Sequence, residues 1–458
     1  MSFDKNSLNI VILAAGKGTR MKSNLPKVMH PLAGKPLVQH CYDTARQMTS
    51  GPIQIIYGHG GELVKDSLSH LEAIWVEQTQ QLGTGHAVQQ AIPNIDEEQT
   101  VLVLYGDVPL LNQETLTALV NQVHTSSMAL LTVSLDDPSG YGRIIRDQHE
   151  NVLRIVEHKD ATDAEKLITE INTGILAVQG RWLQKWLSQL ESDNSQGEYY
   201  LTDIIEMAVN DSVTVTTCAP ASVAEILGVN DKKQLAYLER IYQLHQADLL
   251  MENGVTLHDP ARFDIRGTIK TGADVSIDVN VIFEGTVVLG DRVTIAANCH
   301  LKDVEIKDDV QVLQNSVLDD AVIGSRCRIG PFARIRPGTV LNEQVHIGNF
   351  VEVKKSDIAT GSKVNHLTYI GDTVIGSNVN VGAGTITCNY DGVNKSKTII
   401  EDDVFIGSDT QLIAPVTIKR GSTIGAGSTI TKDTVENALT LSRSKQRTLP
   451  EWQRPQKK

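Results

Sequence analysis

A large aliphatic residue returns at every sixth position through most of the second half of the chain. Three series follow one another, over residues 265–301, 317–353 and 400–430, and the second of them begins at Val317. Every member is apolar except Thr271. An α-helix repeats every 3.6 residues or so and a strand every two, so neither produces this spacing. The period predicts a parallel β-helix, in which each hexad forms one short face and stacked coils bury a column of aliphatic side chains.

Composition narrows the class of protein. A chain of 458 residues is too long for one hydrophobic core, so two or three domains are expected. The net charge of -13 argues against a nucleic-acid-binding protein. Five scattered cysteines without a CxxC pair indicate reduced thiols in a cytoplasm rather than a disulfide framework or a zinc site. The apolar run over residues 10–15 is too short to span a bilayer and lacks the basic start of a signal peptide.

That apolar run is typical of a buried parallel strand, and a Gly-rich segment, residues 16–21, follows it directly. Glycines there would let backbone amides approach phosphate groups, and Lys17 and Arg20 add positive charge. The spacing matches neither the Walker motif nor the dinucleotide motif, so the residues alone make this one candidate for a phosphate-binding loop.

A second apolar run, residues 101–105, ends at Gly106 and Asp107. The carboxyl end of such a strand is where an open α/β sheet places ligand-binding groups. A carboxylate is the hard ligand that would hold Mg2+ against a triphosphate, which makes Asp107 a metal candidate. The structural alternative is an aspartate that only caps the next helix.

The wider pattern resembles the sugar-1-phosphate nucleotidyltransferases. The resemblance rests on the segments 13–21, 25–27, 78–86, 141–143, 156–159, 171–174 and 228–230. It implies a magnesium site, for one or two ions, on Asp107 and Asn230. It also implies that UTP and UDP-N-acetylglucosamine are bound by Leu13, Ala14, Ala15, Gly16, Arg20, Lys27, Gln78, Gly83, Thr84, Tyr105, Gly106, Asp107, Gly142, Glu157, Asn172 and Asn230.

The pattern between about residues 232 and 253 becomes helical and charged, with an apolar stripe, and Gly254 follows as a stop. We therefore expect a nucleotidyltransferase domain over residues 1–232, a linker helix over 233–253, and the β-helix with its tail over 254–458.

Residues that break the hexad pattern are candidates for catalytic or binding roles in the second domain. Arg336, Lys354 and His366 interrupt the coils with polar groups, and residues 387–395 form a polar, turn-forming insertion. A solenoid typically extrudes such a loop to build a site. Acetyl transfer to an amine needs a base, and an imidazole titrates near the working pH, although a single histidine is more often structural.

These coils resemble the hexapeptide-repeat acyltransferases, which are left-handed prisms that form trimers with active sites between subunits. The resemblance implies that His366 is the catalytic base. It implies glucosamine-1-phosphate binding by Arg336, Lys354, Tyr369, Asn380 and Lys395, and acetyl-CoA binding by Ala383, Asn389, Tyr390, Ser408, Ala426 and Arg443. Arg443 belongs to a basic tail, residues 442–458, which is otherwise expected to be a solvated end.

Together these segments identify a Rossmann-like α/β nucleotidyltransferase domain, a linker helix and a left-handed parallel β-helix. The chain resembles the bacterial bifunctional enzymes that are both N-acetylglucosamine-1-phosphate uridylyltransferases and glucosamine-1-phosphate N-acetyltransferases. The resemblance implies a cytoplasmic homotrimer that makes UDP-N-acetylglucosamine for peptidoglycan and lipopolysaccharide, with UTP, acetyl-CoA and glucosamine 1-phosphate as partners and no nucleic acid or membrane. Two alternatives stay open: a nucleotidyltransferase whose β-helix is only regulatory, and a non-catalytic trimeric scaffold.

Overall fold

The computed structural model describes residues 4–16, 18–58 and 61–457 of the chain. Lys17, one of the cations predicted for the phosphate-binding loop, lies outside the described residues. The chain divides into two compact units, Met1–Tyr242 and Gln243–Lys458, and each has hydrophobic cores of its own. The division falls inside a helix, Lys232–Glu252, that overlaps the segment 233–253 predicted as a linker.

The helices are short apart from that one. Over the described ranges, none is long and apolar enough to cross a lipid bilayer. In chain order they are α1 (Leu37–Met48), α2 (Glu62–Ser67), α3 (Thr84–Gln89), α4 (Gln113–Val120), α5 (Gly180–Leu187), α6 (Ile204–Asn210) and α7 (Lys232–Glu252). The strands of the first unit are β1 (Leu8–Ala14), β2 (Pro31–Leu32), β3 (Lys35–Pro36), β4 (Ile53–Tyr57), β5 (Ile74–Glu77), β6 (Thr100–Tyr105), β7 (Ser127–Ser134), β8 (Arg143–Arg146), β9 (Val152–Val156), β10 (Glu170–Gln179) and β11 (Thr214–Cys218).

The first unit is built on a mixed sheet with strand order β11-β7-β10-β6-β1-β4-β5. Strand β1 is buried along its whole length, which explains why its sequence is apolar on both faces. It pairs in parallel with β4 on one side and with β6 on the other, whereas β10 runs antiparallel to β6. The chain leaves β1 toward both edges of the sheet, and such a switch point opens a crevice at the carboxyl ends of the strands. The predicted α/β domain is confirmed.

The second unit consists of short parallel strands that stack coil upon coil. They are β12 (Thr256–Leu257), β13 (Phe263–Thr271), β14 (Ser276–Ile277), β15 (Val281–Leu289), β16 (Thr294–Ile295), β17 (His300–Ile306), β18 (Gln311–Val312), β19 (Val317–Ile323), β20 (Arg328–Ile329), β21 (Arg334–Ile335), β22 (Thr339–Leu341), β23 (His346–Asn349), β24 (Glu352–Lys354), β25 (Asp357–Ile358), β26 (Lys363–His366), β27 (Tyr369–Gly371), β28 (Thr373–Ile375), β29 (Asn380–Val381), β30 (Ile386–Cys388), β31 (Thr398–Ile400), β32 (Phe405–Ile406), β33 (Gln411–Ile413), β34 (Val416–Ile418), β35 (Thr423–Ile424), β36 (Thr429–Ile430) and β37 (Leu439–Thr440).

Stacking of these strands confirms the predicted parallel β-helix. One buried column passes through Ile329, Ile347, Val364, Val381 and Ile406, each paired with the next in parallel register. Steps along the column are 17 or 18 residues, except the last, which is 25. The longer coil contains the polar insertion that the sequence predicted to be extruded. Burial of this aliphatic column is what holds consecutive coils in register.

The predicted hexad series was wrong at its second starting point. Val317 faces outward and is 40% exposed, whereas Leu318 is fully buried and pairs with Leu301 and Ile335 of the neighbouring coils. Some faces span five residues instead of six, as between Leu318 and Ile323, and this shortening displaces the series by one residue. Because side chains along a strand alternate between faces, a shift of one residue moves the wrong member to the surface.

The corrected register makes a stability prediction. We expect Leu318→Ala to lower the free energy of unfolding of the β-helix by about 2–5 kcal/mol, because it leaves a cavity in the buried column. Val317→Ala is the matched control, and we expect it to change that free energy by less than about 0.5 kcal/mol. Chemical denaturation followed by circular dichroism would measure both. Equal effects of the two substitutions would show that the register is misplaced.

Candidate functional sites

A cavity of about 460 Å3 lies in the first unit at the carboxyl ends of β1, β5 and β6. Carboxyl ends of neighbouring parallel strands meet at one edge of a sheet, so segments far apart in the sequence converge there. The cavity brings together ten of the residues predicted to bind nucleotide. They are Leu13, Ala14, Ala15, Gly16, Lys27, Gln78, Gly83, Thr84, Tyr105 and Asp107.

Two cations and two oxygen-bearing side chains form a cluster at this cavity. Lys27 makes an ion pair with Asp107, and its Nζ lies 3.3 Å from Asn230 Oδ1. Arg20 also donates to Asn230 Oδ1, at 2.9 Å. The backbone of Asp107 accepts a hydrogen bond from Val229, which ties the segment carrying Asn230 to the end of β6. Four residues predicted from separate motifs therefore meet.

The oxygen atoms of this cluster fit a magnesium ion. Asp107 and Asn230 both direct an oxygen at the Lys27 ammonium, so they surround one small volume. Mg2+ favours hard oxygen ligands and commonly takes only one or two from the protein, with substrate phosphates and water completing its shell. In the part of the chain that the structure describes, no group of three or more His, Cys, Asp or Glu side chains could hold a metal ion. The two oxygen donors, Asp107 and Asn230, suit an ion that completes its shell with nucleotide phosphates.

The loop that ends with Thr84 is fixed by hydrogen bonds around Gln78. Gln78 is 2% exposed and donates to the backbone oxygen of Gly83 at 3.1 Å. Gly83 has a φ of 112°, and a Cβ there would lie 2.6 Å from the carbonyl oxygen of Tyr199, so the position requires glycine. Sequence reasoning missed Gln81, whose side chain donates to the Ala15 carbonyl at 2.7 Å and holds the end of β1.

Beside this cavity lies a smaller pocket that is lined by one of the residues predicted to bind sugar, Asn172. Asn172 lines it together with Tyr105, and the Asn172 backbone donates to Gly142 at 2.9 Å. Burial raises the pKa of Glu157, which accepts a hydrogen bond of 3.2 Å from Thr202. Thr202 was not predicted, because a threonine in a short helical segment carries no signal of its own.

Gly106 and Tyr105 connect the two cavities of the first unit. The Gly106 amide donates to the Leu13 carbonyl at 2.9 Å, which joins the ends of β1 and β6. The Tyr105 ring lines both cavities, and a Cβ on Gly174 would lie 2.8 Å from its hydroxyl. The absence of a side chain at Gly174 therefore lets the tyrosine lie between the nucleotide region and the sugar region.

In the second unit, His366 lies at the end of β26 beside Asn349 of the preceding coil. Its Nδ1 is 2.8 Å from Asn349 Oδ1. A carbonyl oxygen only accepts hydrogen bonds, so in the neutral ring this contact favours the tautomer with the proton on Nδ1 and a lone pair on Nε2. Sequence reasoning missed Asn349, which comes next to His366 only because consecutive coils are paired.

The cations predicted to bind the sugar phosphate lie at a different corner of the coils from His366. Lys354 Nζ lies 3.7 Å from the buried carboxylate of Asp372, and Asn389 donates to that carboxylate at 2.5 Å. The Lys354 ammonium lowers the pKa of the Lys395 amine. Arg336 is bound to Glu352 at 2.7 Å. A concentration of positive charge of this kind suits a phosphate group.

Strand pairing places the remaining predicted sugar ligands. Tyr369 follows the corner at Leu367 and pairs with Glu352, the partner of Arg336. A Cβ on Gly371 would overlap the Tyr369 hydroxyl, so glycine lets that side chain lie along the face. Asn380 pairs with Lys363 in the other stack of strands, and the structure does not bring it to Lys354.

Residues predicted for coenzyme A follow one corner of successive coils. Asp409 donates to the Ala383 carbonyl at 2.7 Å, and the next coil repeats the contact at the Ser408 carbonyl at 2.8 Å. Arg443 ends this line by donating to the Ala426 carbonyl at 2.9 Å. Tyr390 is 59% exposed on the extruded loop, where it bridges to Lys395.

His366 and the Lys354 cluster are separated within one chain. The face that joins them begins after Leu367 and ends at Asp372, both of which have positive φ at corners of the coil. The chain between these corners is an extended strand that rises about 3.3 Å per residue, so the groups at its two ends stand on opposite edges of the face. A single copy therefore presents the imidazole and the phosphate-binding cations at different corners.

Known proteins resemble the chain along its whole length. Family models match as a MobA-like NTP transferase domain over residues 10–171, a GMPPB C-terminal domain over 265–351, and a bacterial transferase hexapeptide of six repeats over 397–432. Bifunctional protein GlmU of Methylococcus capsulatus is 61% identical over 98% of this chain and 97% of its own. The proteins of that name from Nitrosospira multiformis and Cupriavidus pinatubonensis are 60% and 55% identical, with 98–99% of this chain and 99% of each relative covered.

The bond between His366 and Asn349 predicts the tautomer of the imidazole. We expect the neutral ring of His366 to carry its proton on Nδ1, and Asn349→Ala to restore the Nε2–H form that free imidazole side chains favour. Nitrogen-15 spectra of histidine-labelled protein would distinguish the two forms. An Nε2–H signal for His366 in the unsubstituted protein would contradict the hydrogen-bond arrangement.

Proposed function

The chain belongs to the GlmU family of bifunctional proteins, and from this membership we propose that it catalyses two transfers in succession. The second unit acetylates glucosamine 1-phosphate with acetyl-CoA. The first unit then transfers UMP from UTP to N-acetylglucosamine 1-phosphate and releases pyrophosphate. One observation carries the proposal: relatives 55–61% identical align over both units, and each unit contains a cluster of the residue types its reaction requires.

In the acetyl transfer, His366 acts as the general base. Its Nε2 lone pair accepts a proton from the aminosugar as the nitrogen attacks the thioester carbon, so a C–N bond forms and the C–S bond breaks. The proton then passes to the departing thiolate. Asn349 maintains the required tautomer by accepting from Nδ1. Lys354, Lys395 and Arg336 hold the phosphate of the substrate, because ammonium and guanidinium groups bind phosphate oxygens strongly.

Tyr369 and Asn380 complete the aminosugar site, and coenzyme A lies along the corner that ends at Arg443. Ala383, Ser408 and Ala426 stack there on successive coils, and their small side chains leave room for the pantetheine arm. Asn389 and Tyr390, on the extruded loop, lie on the Lys354 edge of the face and reach a coenzyme that is bound along the corner of a neighbouring copy. Arg443 meets phosphate groups of the coenzyme.

In the uridylyl transfer, a phosphate oxygen of the acetylated sugar attacks the α-phosphorus of UTP, and the bond to pyrophosphate breaks. Lys27 and Arg20, whose side chains meet at Asn230 Oδ1, neutralise the negative charge that develops on the triphosphate, so fixed positive charge and positioning provide the rate enhancement. Mg2+, when Asp107 and Asn230 bind it, adds further positive charge at the phosphates. Glu157, oriented by Thr202, and Asn172 bind the sugar, while Gln78, Gly83 and Thr84 bind the uracil ring.

The acetyl-transfer site is shared between copies in a homotrimer. Support comes from the separation of His366 and Lys354 on opposite edges of one face, which a neighbouring copy could bring together. Phe332, Phe350 and Leu367 add support, because they are 48%, 56% and 65% exposed and have positive φ, and because the rings of Phe332 and Phe350 stack on each other. Bulky apolar residues in that conformation are strained, and strain is kept where function requires it.

The protein works in the cytoplasm on small molecules alone. Support comes from the cysteines, all unpaired in the structure: Cys41, Cys218, Cys299, Cys327 and Cys388. Burial raises the pKa of Cys299 and Cys327 to about 11, so these thiols stay protonated and serve as small apolar groups in the column. A reducing compartment suits such thiols.

Two substitutions separate the two activities. We expect His366→Ala to abolish thiol release from acetyl-CoA and glucosamine 1-phosphate while pyrophosphate release from UTP and N-acetylglucosamine 1-phosphate continues unchanged. Asp107→Ala should have the opposite effect. Each variant is the control for the other, since both assays use the same full-length protein. If either folded variant lost both activities, the two sites would not be independent.

Light scattering tests the homotrimer. We expect a mass about three times the 50.0 kDa of one chain. Replacing Phe332 and Phe350 together by serine should reduce the mass and the acetyl transfer but leave uridylyl transfer intact. Leu167→Ser removes an exposed apolar side chain from the first unit and should change neither. A monomeric wild-type protein would disprove the shared site.

A further inference from the structure

Asp372 stands out among the aspartates at the corners of the β-helix. It has a φ of 48° and follows Asp303 and Asp320, which occupy the same corner of earlier coils with φ values of 50° and 44°. Those two are exposed, whereas Asp372 is only 6% exposed. Asparagine and aspartate tolerate this backbone conformation, so the corner explains an aspartate but not its burial.

The extruded loop explains the burial, because both of its ends are tied to Asp372. At the start of the loop, Asn389 donates from Nδ2 to Asp372 Oδ2 at 2.5 Å. At the end of the loop, the Thr398 amide donates to the Asp372 backbone oxygen at 3.3 Å. Asn389 is itself 8% exposed. A single residue therefore fixes the place where the loop leaves the coil and the place where it returns.

The same carboxylate faces the cations proposed to bind phosphate. Lys354 Nζ lies 3.7 Å from Asp372 Oδ2, and these side chains are 20% and 7% exposed. Lys354 lowers the pKa of the Lys395 amine, and the negative charge of Asp372 acts in the opposite direction. A buried carboxylate is costly unless it is paired, and here it also offsets the repulsion between two ammonium groups.

The hydrogen bond to Asp372 also fixes the orientation of the Asn389 side-chain amide. An ionised carboxylate can only accept hydrogen bonds, so Asn389 must present its NH2 group to Asp372. Its amide oxygen then points away from Asp372, which makes it an acceptor for an N–H group of a substrate. Without Asp372 the amide could rotate and present either atom.

We propose that Asp372 is a positioning residue of the acetyl-transfer site. Its carboxylate holds Lys354, which binds the aminosugar phosphate, and Asn389, which is proposed to contact coenzyme A, in one fixed relation. The two substrates therefore meet at a set distance, as a reaction between two bound molecules requires. This inference rests on the proposed acetyl transfer, which by itself assigns no role to Asp372.

Steady-state kinetics of Asp372→Asn tests the inference. Asparagine has the same shape and accepts the corner conformation, so the coil should fold. We expect KM to rise about fivefold to tenfold for both glucosamine 1-phosphate and acetyl-CoA, kcat to fall, and uridylyl transfer to stay unchanged. Asp320→Asn makes the same change at the exposed, equivalent corner and should alter none of these values. Asp372→Gly, which relieves the backbone and removes the side chain, should have a larger effect than Asp372→Asn.

A double-mutant cycle separates positioning from a general loss of structure. In an Asn389→Ala background, Asp372→Asn should no longer change KM for acetyl-CoA but should still raise KM for glucosamine 1-phosphate. Unchanged KM values in Asp372→Asn would overturn the inference, and so would a loss of kcat alone accompanied by a lower Tm. If the wild-type protein released no thiol from acetyl-CoA in the presence of glucosamine 1-phosphate, the proposed function would fail and this inference with it.

Discussion

Parallel pairing between successive coils is the constraint on which the second unit depends. Most strand residues pair with the one 17 or 18 positions further along, and with the one 25 positions along where the extruded loop intervenes, so a side chain on one coil has a determined neighbour on the next. This register places Asn349 against His366 and Glu352 against Tyr369. The buried aliphatic column maintains the register, and in this way packing far inside the prism sets distances between polar groups on its surface.

In the first unit, an open sheet brings residues that are distant in sequence to one place. Its strands β1 and β6 end at one edge, where Gly106 is bonded to Leu13 and Asp107 to Val229. Short backbone hydrogen bonds thus bring a Gly-rich loop, an acidic strand end and a distant amide into one cavity. Both units put the chemistry on the ends or corners of regular elements, where the backbone is rigid and the side chains are free to bind.

The sequence predicted the architecture well because both halves carry a periodic signal. Apolar residues at hexad spacing indicated coils, and the glycines and basic residues after β1 indicated the loop. The error at Val317 arose because some faces have five residues, and a count along the sequence does not reveal which. Asn349, Thr202 and Asp372 were missed for a different reason: each acts through a residue far away in sequence, and only the paired structure shows that neighbour.

Complementation between two inactive chains tests most directly whether the acetyl-transfer site is shared. Chains with His366→Ala and chains with Lys354→Ala would be co-expressed with different tags, and oligomers containing both would be purified. If the imidazole and the ammonium come from neighbouring copies, each mixed trimer has one intact site, and roughly one third of the wild-type acetyl transfer should return. If mixed oligomers of proven composition show no acetyl transfer while their uridylyl transfer is normal, the site lies within one chain and the account is contradicted.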